Sequence, residues 1–499
     1  MKKIVAPEQL AKEAAELSGQ GRKPLTAMFG RDETNRGQGY AVYCYFENTA
    51  TKEMDVLKAN FDPQGPLEYP SLTPLIPAAA WYEREIKDMF GISPLGHPDL
   101  RPLVLHETFP EDFFPLRKIT PKNAQVRGER TFKVRSAKGQ GLFEVPVGPI
   151  HAGIIEPGHF RFSQAGEAML QLDAKLFYTH RGIEKAVEGK TPAAALPIIE
   201  RICGACSIAN TWSFCQAAEK IAGVQIPHRA EIIRTLLAEL ERLINHVGDL
   251  GNIPAGVGFN PAISLGSRLK EQLMRLAEAV TGNRFLRGMI IPGGVAMDIT
   301  PELREQIRLT LAETARGVAD LDTMFKEQDS FQNRIRTTGL IRKQTAIDLA
   351  MVGVGARASG VSRDSRKEFA YGVYPELDFE PCLKNSGDVA ARIAVRLGET
   401  QTSLALVEAL LVKLEQEKGM LTAPVNFTAG SGWGISESPR GSNFQYLALD
   451  ERGIIDRLFV RSASYPNWPA LTIAVQGDII PDFPLINKSF ELCYACLDR

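Results

Sequence analysis

Apolar residues at helical spacing dominate the chain from about residue 141 onward. One stripe begins after Pro227 and ends at Gly248. Its members are Ile232, Ile233, Leu236, Leu237, Leu240, Leu243, Ile244 and Val247. Proline at the start and glycine just past the end predict one long helix over this stripe. Similar patterns predict helices over 265–280, from Thr300-Pro301 onward, and over about 389–417. Four such helices indicate a bundle, whose interior is a common place for a metal site.

Strand-like runs occur near both ends of the chain. Residues 41–46 are β-branched and aromatic and predict a strand, and short runs at 458–460 and 471–475 predict two more. We therefore predict an α+β multidomain protein: a small α/β domain over 1–120, a linker over 121–140, and a mainly helical domain with short β elements over 141–499. The basic run around the linker is expected to be a solvated surface.

Composition excludes several classes of function. The chain has 499 residues, 44% hydrophobic and 23% charged, which is ordinary for a globular protein too long for a single core. Its formal charge of −1 gives no reason to expect nucleic acid as a partner. No apolar run has membrane-spanning length, and the early lysines argue against a signal peptide. Seven cysteines in a chain this long do not predict a disulfide framework, so we expect the reducing cytoplasm.

Four of the cysteines form two pairs with the same spacing, Cys203-Gly-Ala-Cys206 and Cys493-Tyr-Ala-Cys496. This spacing lets two thiolates reach one metal ion, and thiolates favour nickel, zinc, copper(I) or iron–sulfur centres. A structural zinc site is one alternative, but zinc ribbons separate their pairs by roughly 15–20 residues. Because most of the second part of the chain lies between these pairs, we favour a catalytic metal centre.

The residues around the pairs resemble the metal motifs of nickel–iron hydrogenase large subunits. Arg201-Ile-Cys203-Gly-Ala-Cys206 is similar to their first motif. Cys493-Tyr-Ala-Cys496-Leu-Asp-Arg499 is similar to their C-terminal motif after a following peptide has been clipped. The resemblance implies a nickel–iron centre, with Cys203 and Cys493 as terminal nickel ligands. It also implies that Cys206 and Cys496 bridge to an iron carrying small diatomic ligands, and that hydrogenase maturation proteins act on the chain.

Further segments follow in the family's order. Val147–His151 and Glu156–Arg161 resemble the segment that places a glutamate beside nickel, and Glu437–Gly441 resembles the segment that places an arginine over the metals. The resemblance implies that Cys493 accepts the proton when H2 is split and passes it to Glu156, while Arg440 orients H2. Taken alone, Glu156 fits a surface carboxylate equally well, and Arg440 fits a turn residue.

The N-terminal part carries a second resemblance. Tyr82-Glu-Arg-Glu85-Ile-Lys-Asp88-Met-Phe90 and Gly96-His97-Pro98-Asp99 look like the signature of the complex I subunit that neighbours the quinone-site subunit. His97 is interpreted as a turn or interface residue. His180–Lys185 is similar to both hydrogenases and the quinone-site subunit. Fusion of the two modules is the layout of the formate hydrogenlyase large subunit and other energy-converting hydrogenases.

The chain departs from the hydrogenase pattern at two places. Asn210 stands where a histidine commonly follows the second cysteine, and Glu491-Leu492 replaces the usual Asp-Pro before the C-terminal pair. Neither change removes a metal ligand, but both alter the groups around the ligands, which tune orientation and affinity.

The resemblance also implies partners. Cys44, Cys215 and Cys382 are expected to be buried apolar residues, which leaves no cysteines for an iron–sulfur cluster. We therefore predict a partner subunit with a 4Fe–4S cluster, and integral-membrane partners that hold the complex at the cytoplasmic face of the inner membrane.

Three functions compete on the sequence alone. The first is the catalytic subunit of a hydrogenase that evolves or oxidises H2, with formate, carbon monoxide, ferredoxin or a nicotinamide as the electron donor. The second is a complex I-like protein that forms a quinone site without metal. The third is a zinc-stabilised assembly scaffold. The complete cysteine pairs favour the first.

Overall fold

A four-stranded sheet forms the centre of the N-terminal part in the computed structural model, which describes residues 1–130, 134–151 and 155–499. Its strands are β1 (Lys2–Val5), β2 (Leu25–Asp32), β3 (Tyr40–Asn48) and β4 (Glu53–Phe61). They lie in the order β1, β4, β3, β2, with β1 parallel to β4 and the other neighbours antiparallel. β3 confirms the strand expected over 41–46. Helices α1 (Leu10–Ser18) and α2 (Ala80–Phe90) pack on this sheet, and β5 (Glu68–Pro70) pairs with β6 (Ser93–Leu95).

The rest of the chain is mainly helical. Its helices are α3 (Ile183–Val187), α4 (Pro192–Ile199), α5 (Ser207–Ala222), α6 (His228–Asn252), α7 (Asn260–Thr281), α8 (Pro301–Glu327), α9 (Asp329–Ile335), α10 (Lys343–Asp348), α11 (Gly353–Ala358), α12 (Ser365–Glu368), α13 (Val389–Gln416), α14 (Ser464–Ala474), α15 (Phe483–Phe490) and α16 (Tyr494–Asp498). Short 3-10 turns lie at Pro7–Gln9, Thr34–Arg36, Pro77–Ala79, Ile253–Val257, Tyr374–Glu376 and Ile480–Asp482. None of the helices in the described ranges combines the length and apolarity that crossing a membrane requires.

The strands of this part form small sheets. They are β7 (Leu142–Val147), β8 (His159–Ala165), β9 (Ala168–Lys175), β10 (Ile290–Ile291), β11 (Gly294–Val295), β12 (Gly430–Ser438), β13 (Gly441–Leu449) and β14 (Ile455–Arg461). β7, β8 and β9 form one antiparallel sheet, β12, β13 and β14 a second, and β10 pairs with β11. The predicted α+β multidomain class is confirmed.

The predicted bundle is present. α6 packs against α7 and α13, and α8 packs against both of those helices. The four predicted helices are present as α6, α7, α8 and α13. The Thr300 hydroxyl caps α8 by accepting from Leu303 N at 3.3 Å. The expected end of α6 at Gly248 is wrong, because this helix continues to Asn252.

Gly251 in α6 allows this helix to pack closely against α7 and does not end the helix. A Cβ placed on Gly251 would lie 2.8 Å from Gly266 Cα in α7, and one placed on Gly266 would lie 2.3 Å from Gly251 Cα. The backbones of the two helices therefore meet at this point, with no room for a side chain on either.

The strand predicted over 471–475 is also wrong, since most of it belongs to α14. Trp468 and Leu471 are fully buried there. A short apolar run looks the same in a buried strand and in a buried helix, so its composition could not decide between them.

The N-terminal sheet shares a core with the C-terminal part. The Phe29 ring on β2 stacks on Phe459 of β14 with centroids 4.5 Å apart, and Arg31 donates to Asp456 at 2.7 Å. One cluster of buried apolar residues runs through both parts. The boundaries at 120 and 140 stay a prediction, and residues 131–133 of the predicted linker lie outside the described ranges.

The expectation of a solvated basic run around the linker is confirmed for Lys122, Arg127 and Arg135, which are exposed, and is wrong for Lys118 and Arg130, which are only partly exposed. Lys118 donates to Glu188 at 2.9 Å and lies 3.2 Å from Asp456, and Arg130 donates to Phe109 O at 3.0 Å. These cations are held because carboxylates and carbonyls of the folded core face them.

We predict opposite effects for two glycine-to-alanine changes in α6. Gly251→Ala should lower the free energy of unfolding by about 1–3 kcal/mol, because a methyl group there is forced against the α7 backbone. Gly248→Ala should be neutral or stabilising by up to about 1 kcal/mol, since its methyl group would meet only the flexible Lys270 side chain. Urea unfolding of both variants measures the difference, and equal effects would show that the backbone contact is unimportant.

Candidate metal centre

The four paired cysteines lie in two loops that meet. Cys203 follows α4 and Cys206 immediately precedes α5, while Cys493 immediately precedes α16 and Cys496 lies within it. The Cys203 and Cys493 sulfur atoms are 3.1 Å apart. The sulfur atoms of Cys203, Cys493 and Cys496 all lie within 4.8 Å of one another. Cys206 is outside this triad, yet its thiol is the largest influence on the pKa of Cys203. The structure thus brings the predicted residues of both pairs together.

This donor set fits a soft metal ion. Thiolates bind such ions at about 2.3 Å, so two thiolates on one ion lie at most about 4.6 Å apart. The triad is nearly that compact, and Cys203, Cys206 and Cys496 are buried. Among the residues that the structure describes, no other three His, Cys, Asp or Glu side chains converge this closely.

The thiols also differ in acidity. Cys206, Cys493 and Cys496 lower the pKa of Cys203 well below its usual range, because each can donate to its sulfur. The same contacts raise the pKa of Cys206 and Cys493. The thiols are thus close enough to stabilise a thiolate among them, and the thiolate is the form that binds metal.

Helix α6 supports the first pair. The Glu241 carboxylate accepts from Ile208 N at 2.6 Å and Ala209 N at 3.1 Å, at the start of α5. One turn later, Asn245 donates to Ala205 O at 2.9 Å. Both residues are buried. Sequence reasoning missed them, although their spacing of four residues on the polar side of the α6 stripe was a usable signal.

Ser464, the first residue of α14, supports the second pair. Its hydroxyl accepts from Cys493 N at 3.0 Å and lies 3.3 Å from the Cys496 sulfur. Sequence reasoning missed Ser464, because nothing in the sequence connects it to a cysteine 29 residues away.

Glu156 lies at the rim of the cluster. Its Oε2 accepts from Ala495 N at 2.7 Å, which fixes the carboxylate to the middle of the second pair. The side chain is half-buried, and burial raises its pKa, with Cys203 adding to the effect. Residues 152–154 of the hydrogenase-like segment lie outside the described ranges.

Arg440 occupies the tight turn between β12 and β13. Its Nη1 and Nη2 donate to the two oxygens of Asp249 at 2.9 Å each, and its Nε donates to Glu491 O at 2.6 Å. Burial disfavours the charged form, but Asp249, Glu491 and the thiols of the first pair outweigh it and raise the pKa of Arg440. Asp249 is a further residue that sequence reasoning missed.

The two departures from the hydrogenase pattern have different surroundings. The Asn210 Oδ1 accepts from Asn443 at 3.0 Å in a fully buried site. The Glu491 carboxyl group accepts from Asn252 at 2.6 Å and lies 4.0 Å from Arg440. Burial, with Asp249 adding to the effect, raises the pKa of Glu491, and Arg440 opposes this rise.

The N-terminal motif contributes contacts near the second pair. Glu85 of α2 binds the Arg499 guanidinium at 2.7 Å, whereas Asp88 accepts from Leu103 N at 2.7 Å. His97 accepts from Asp99 N at 2.9 Å and its other ring nitrogen faces Ala80 O at 3.1 Å, as expected for a turn residue.

The unpaired cysteines lie elsewhere. Cys44 and Cys215 are fully buried, as expected. Cys382 is only partly buried, against expectation, because it packs at the edge of a small apolar cluster with Val395.

Three family models match the chain. Residues 4–126 match the 30-kDa subunit of respiratory-chain NADH dehydrogenase, and residues 257–426 match its 49-kDa subunit. Residues 181–248, which include the first cysteine pair, match the nickel-dependent hydrogenases.

Curated relatives cover nearly the whole chain. Formate hydrogenlyase subunit 5 of Escherichia coli is 33% identical over 95% of this chain and 84% of that protein. Hydrogenase-4 component G of the same organism is 34% identical with the same coverage. The chain belongs to the formate hydrogenlyase-type large subunits of membrane-associated nickel–iron hydrogenases.

This hydrogenase-type large subunit, an oxidoreductase, also has complex I relatives. The fused C/D polypeptide of NADH-quinone oxidoreductase from Bacteroides thetaiotaomicron is 28% identical over 94% of the chain and 92% of that protein. A solved polypeptide of the archaeal membrane-bound sulfane sulfur reductase aligns with a TM-score of 0.68 and 27% identity, over 72% of this chain and 99% of its own length.

We predict that Glu241→Gln weakens the first turn of α5. Glutamine offers one acceptor oxygen, so its amide group faces a backbone N–H, which should cost about 1–3 kcal/mol of unfolding free energy. Glu305→Gln, on the exposed side of α8, is the control and should stay within about 0.5 kcal/mol of the parent. Urea unfolding measures the unfolding free energies of both variants. If Glu241→Gln is as stable as the control, Glu241 does not support the start of α5.

Proposed function

We propose that the chain is the catalytic large subunit of a nickel–iron hydrogenase complex, which interconverts two protons and two electrons with H2. The observation that carries the proposal is the convergence of Cys203, Cys493 and Cys496, with Cys206 beside them. The hydrogenase model match over the first pair and the two hydrogenase relatives from Escherichia coli support it.

The four cysteines would hold the metals. By the resemblance, Cys203 and Cys493 would bind nickel, and Cys206 and Cys496 would be shared between nickel and iron. When bound, the nickel–iron group supplies the Lewis acid and two-electron redox centre at which H2 is split or formed. The buried position of three of the four sulfurs keeps bulk water away from that centre.

Proton transfer is assigned to Cys493 and Glu156. The Cys493 thiolate accepts the proton released when H2 is split, and Glu156 takes it onward. Two features support this route: Cys493 is the least buried of the four cysteines, and Glu156 is fixed to the backbone two residues after it. A carboxyl group whose pKa is raised by burial suits a relay that must both accept and release protons.

Arg440 would orient H2 and stabilise negative charge at the centre. Asp249 and the Glu491 carbonyl bind all three of its nitrogen groups, so its position is fixed before any substrate arrives. A pre-positioned cation in a dry site stabilises developing negative charge without reorganisation.

Electrons require a partner. Within the described ranges the remaining cysteines do not cluster, so we propose that a second protein with a 4Fe–4S cluster accepts the electrons. The relatives include a membrane-bound hydrogenase subunit alpha from Pyrococcus furiosus, 32% identical over 71% of this chain. We therefore propose a peripheral position at the cytoplasmic face of the inner membrane, reached through integral-membrane partners. Formate oxidation is one candidate electron source, and the formate hydrogenlyase relative supports it.

A quinone-binding role within a complex I-like assembly is the second candidate. The complex I model matches and the fused C/D relative favour it. It leaves the convergence of the cysteine sulfurs without a function.

Metal content separates these candidates. The chain expressed with hydrogenase maturation proteins should contain nickel and iron in equal amounts, measured by plasma mass spectrometry. Cys206→Ser and Cys496→Ser should lose both metals, while Cys382→Ser, outside the cluster, should retain them. Zinc alone would indicate a scaffold, and a metal-free chain would indicate the quinone-binding alternative.

Glu156→Gln should retain nickel and iron but lose most H2 evolution. Loss of a positioned proton carrier typically costs about 10²–10⁴-fold in rate. The control is Glu144→Gln on β7, a carboxylate that is bound to Arg161 at 3.0 Å and is not part of the cluster. H2 evolution from a reduced viologen measures both variants, and a parental rate in Glu156→Gln would refute the relay.

A further inference from the structure

One guanidinium touches the backbone of both cysteine loops. Arg181 Nη1 donates to Arg201 O at 2.8 Å, and its Nη2 donates to Ile202 O at 2.8 Å, just before Cys203. The same Nη2 donates to Ala495 O at 2.7 Å, between Cys493 and Cys496. The Arg181 side chain therefore holds the backbone of both cysteine loops, one on each side of the contact between the Cys203 and Cys493 sulfur atoms.

The backbone of Arg181 is fixed to the second loop as well. Its N–H donates to Arg499 O at 2.7 Å. The neighbouring His180 Nδ1 faces Asp498 O at 2.5 Å, and Thr179 donates to the Asp498 carboxylate from N and Oγ1 at 2.9 and 2.6 Å. We call residues 177–184 the clasp segment.

Glu184 closes the clasp segment at its other end. Its carboxylate binds the Arg499 guanidinium at 3.0 Å and Arg457 at 2.6 Å, and all three side chains are buried. These contacts fix the clasp segment relative to α16. The Arg181 side chain in turn fixes the first cysteine loop relative to the clasp segment.

We propose that Arg181 is the positioning residue that sets the distance between the two cysteine pairs, and so the shape of the metal site. An arginine suits this role because its planar fork presents several donors at fixed angles to carbonyls on two sides. Lysine keeps the charge, but its single nitrogen on a flexible stem cannot hold Arg201 O, Ile202 O and Ala495 O together at the fixed angles of the guanidinium. The inference rests on the proposed function only for the identity of the metal.

The first test needs no metal. The full chain, purified without metal under reducing conditions, is treated briefly with diamide, which takes two electrons and two protons from a pair of thiols as their disulfide forms. Peptide mass spectrometry then compares the Cys203–Cys493 cross-link, which joins the loops, with the Cys203–Cys206 cross-link within one loop. In the parent the two sulfurs at 3.1 Å should give the inter-loop product readily.

Arg181→Lys and Arg181→Gln should both lower the ratio of inter-loop to within-loop product by about two- to tenfold, the effect of losing one hydrogen bond. The matched control is Arg130→Lys, because Arg130 also donates to backbone carbonyls, Phe109 O and Pro110 O, away from the cysteines. Its ratio should equal the parental one. The within-loop product and the far-ultraviolet circular dichroism spectrum report whether each variant is folded. An unchanged ratio in Arg181→Lys overturns the proposal.

A second test uses Co²⁺ as the probe. Thiolate-to-cobalt absorption of the parent should report thiolates from both loops, and Arg181→Lys should bind Co²⁺ about 10–100-fold more weakly, as is typical for residues that orient ligands. Parental affinity and absorption in that variant would contradict the inference. Since neither test measures H2 chemistry, a chain that failed to acquire nickel and iron could still pass both.

Discussion

Hydrogen bonds along the whole of α16 hold the second cysteine pair against the first. The geometry of the rest of the site depends on these hydrogen bonds. Asp498, Arg499 and Ala495 are each bound by the clasp segment, and Ser464 and Glu156 bind the backbone of the same short helix. A five-residue helix has almost no stability of its own, so these contacts determine its position. Separation along the chain is a minor obstacle, because loop-closure cost rises by only about 0.6 kcal/mol with each doubling of length.

Buried charge extends this constraint to the N-terminal part. Arg499 lies between Glu85 of α2 and Glu184 of the clasp segment, at 2.7 and 3.0 Å, and all three are buried. Replacing a whole buried ion pair by apolar residues is often neutral, but removing one partner leaves a costly unpaired charge. Arg499 thus joins the N-terminal module to the clasp segment beside the cysteine cluster.

The sequence could predict what depends on local pattern. The helices α7, α8 and α13 and the strand β3 follow from spacing and residue type. The convergence of Cys203-Cys206 with Cys493-Cys496 was implied by the family resemblance. Gly248 misled the prediction, because a helical glycine can either end a helix or admit a neighbouring group, and only the position of α7 decides. Glu241 and Asn245 left a weak signal in their spacing on the polar side of α6. Asp249 and Arg181 left none, because their roles depend on groups that only the fold brings next to them.

Asn210, which departs from the family pattern, reduces the number of groups that can carry protons near the cysteine cluster. An asparagine side chain cannot take up or release a proton near neutral pH. Here its oxygen is bound by Asn443, and within the described residues its amide nitrogen is buried without a hydrogen-bond partner. A histidine in this place could relay protons away from Cys206, on the side of the first pair. In this chain that side offers no proton carrier at position 210, whereas Glu156 lies against the second pair and is partly exposed. The proposed route through Cys493 and Glu156 therefore does not involve position 210, and it lies on the loop whose position the clasp segment fixes.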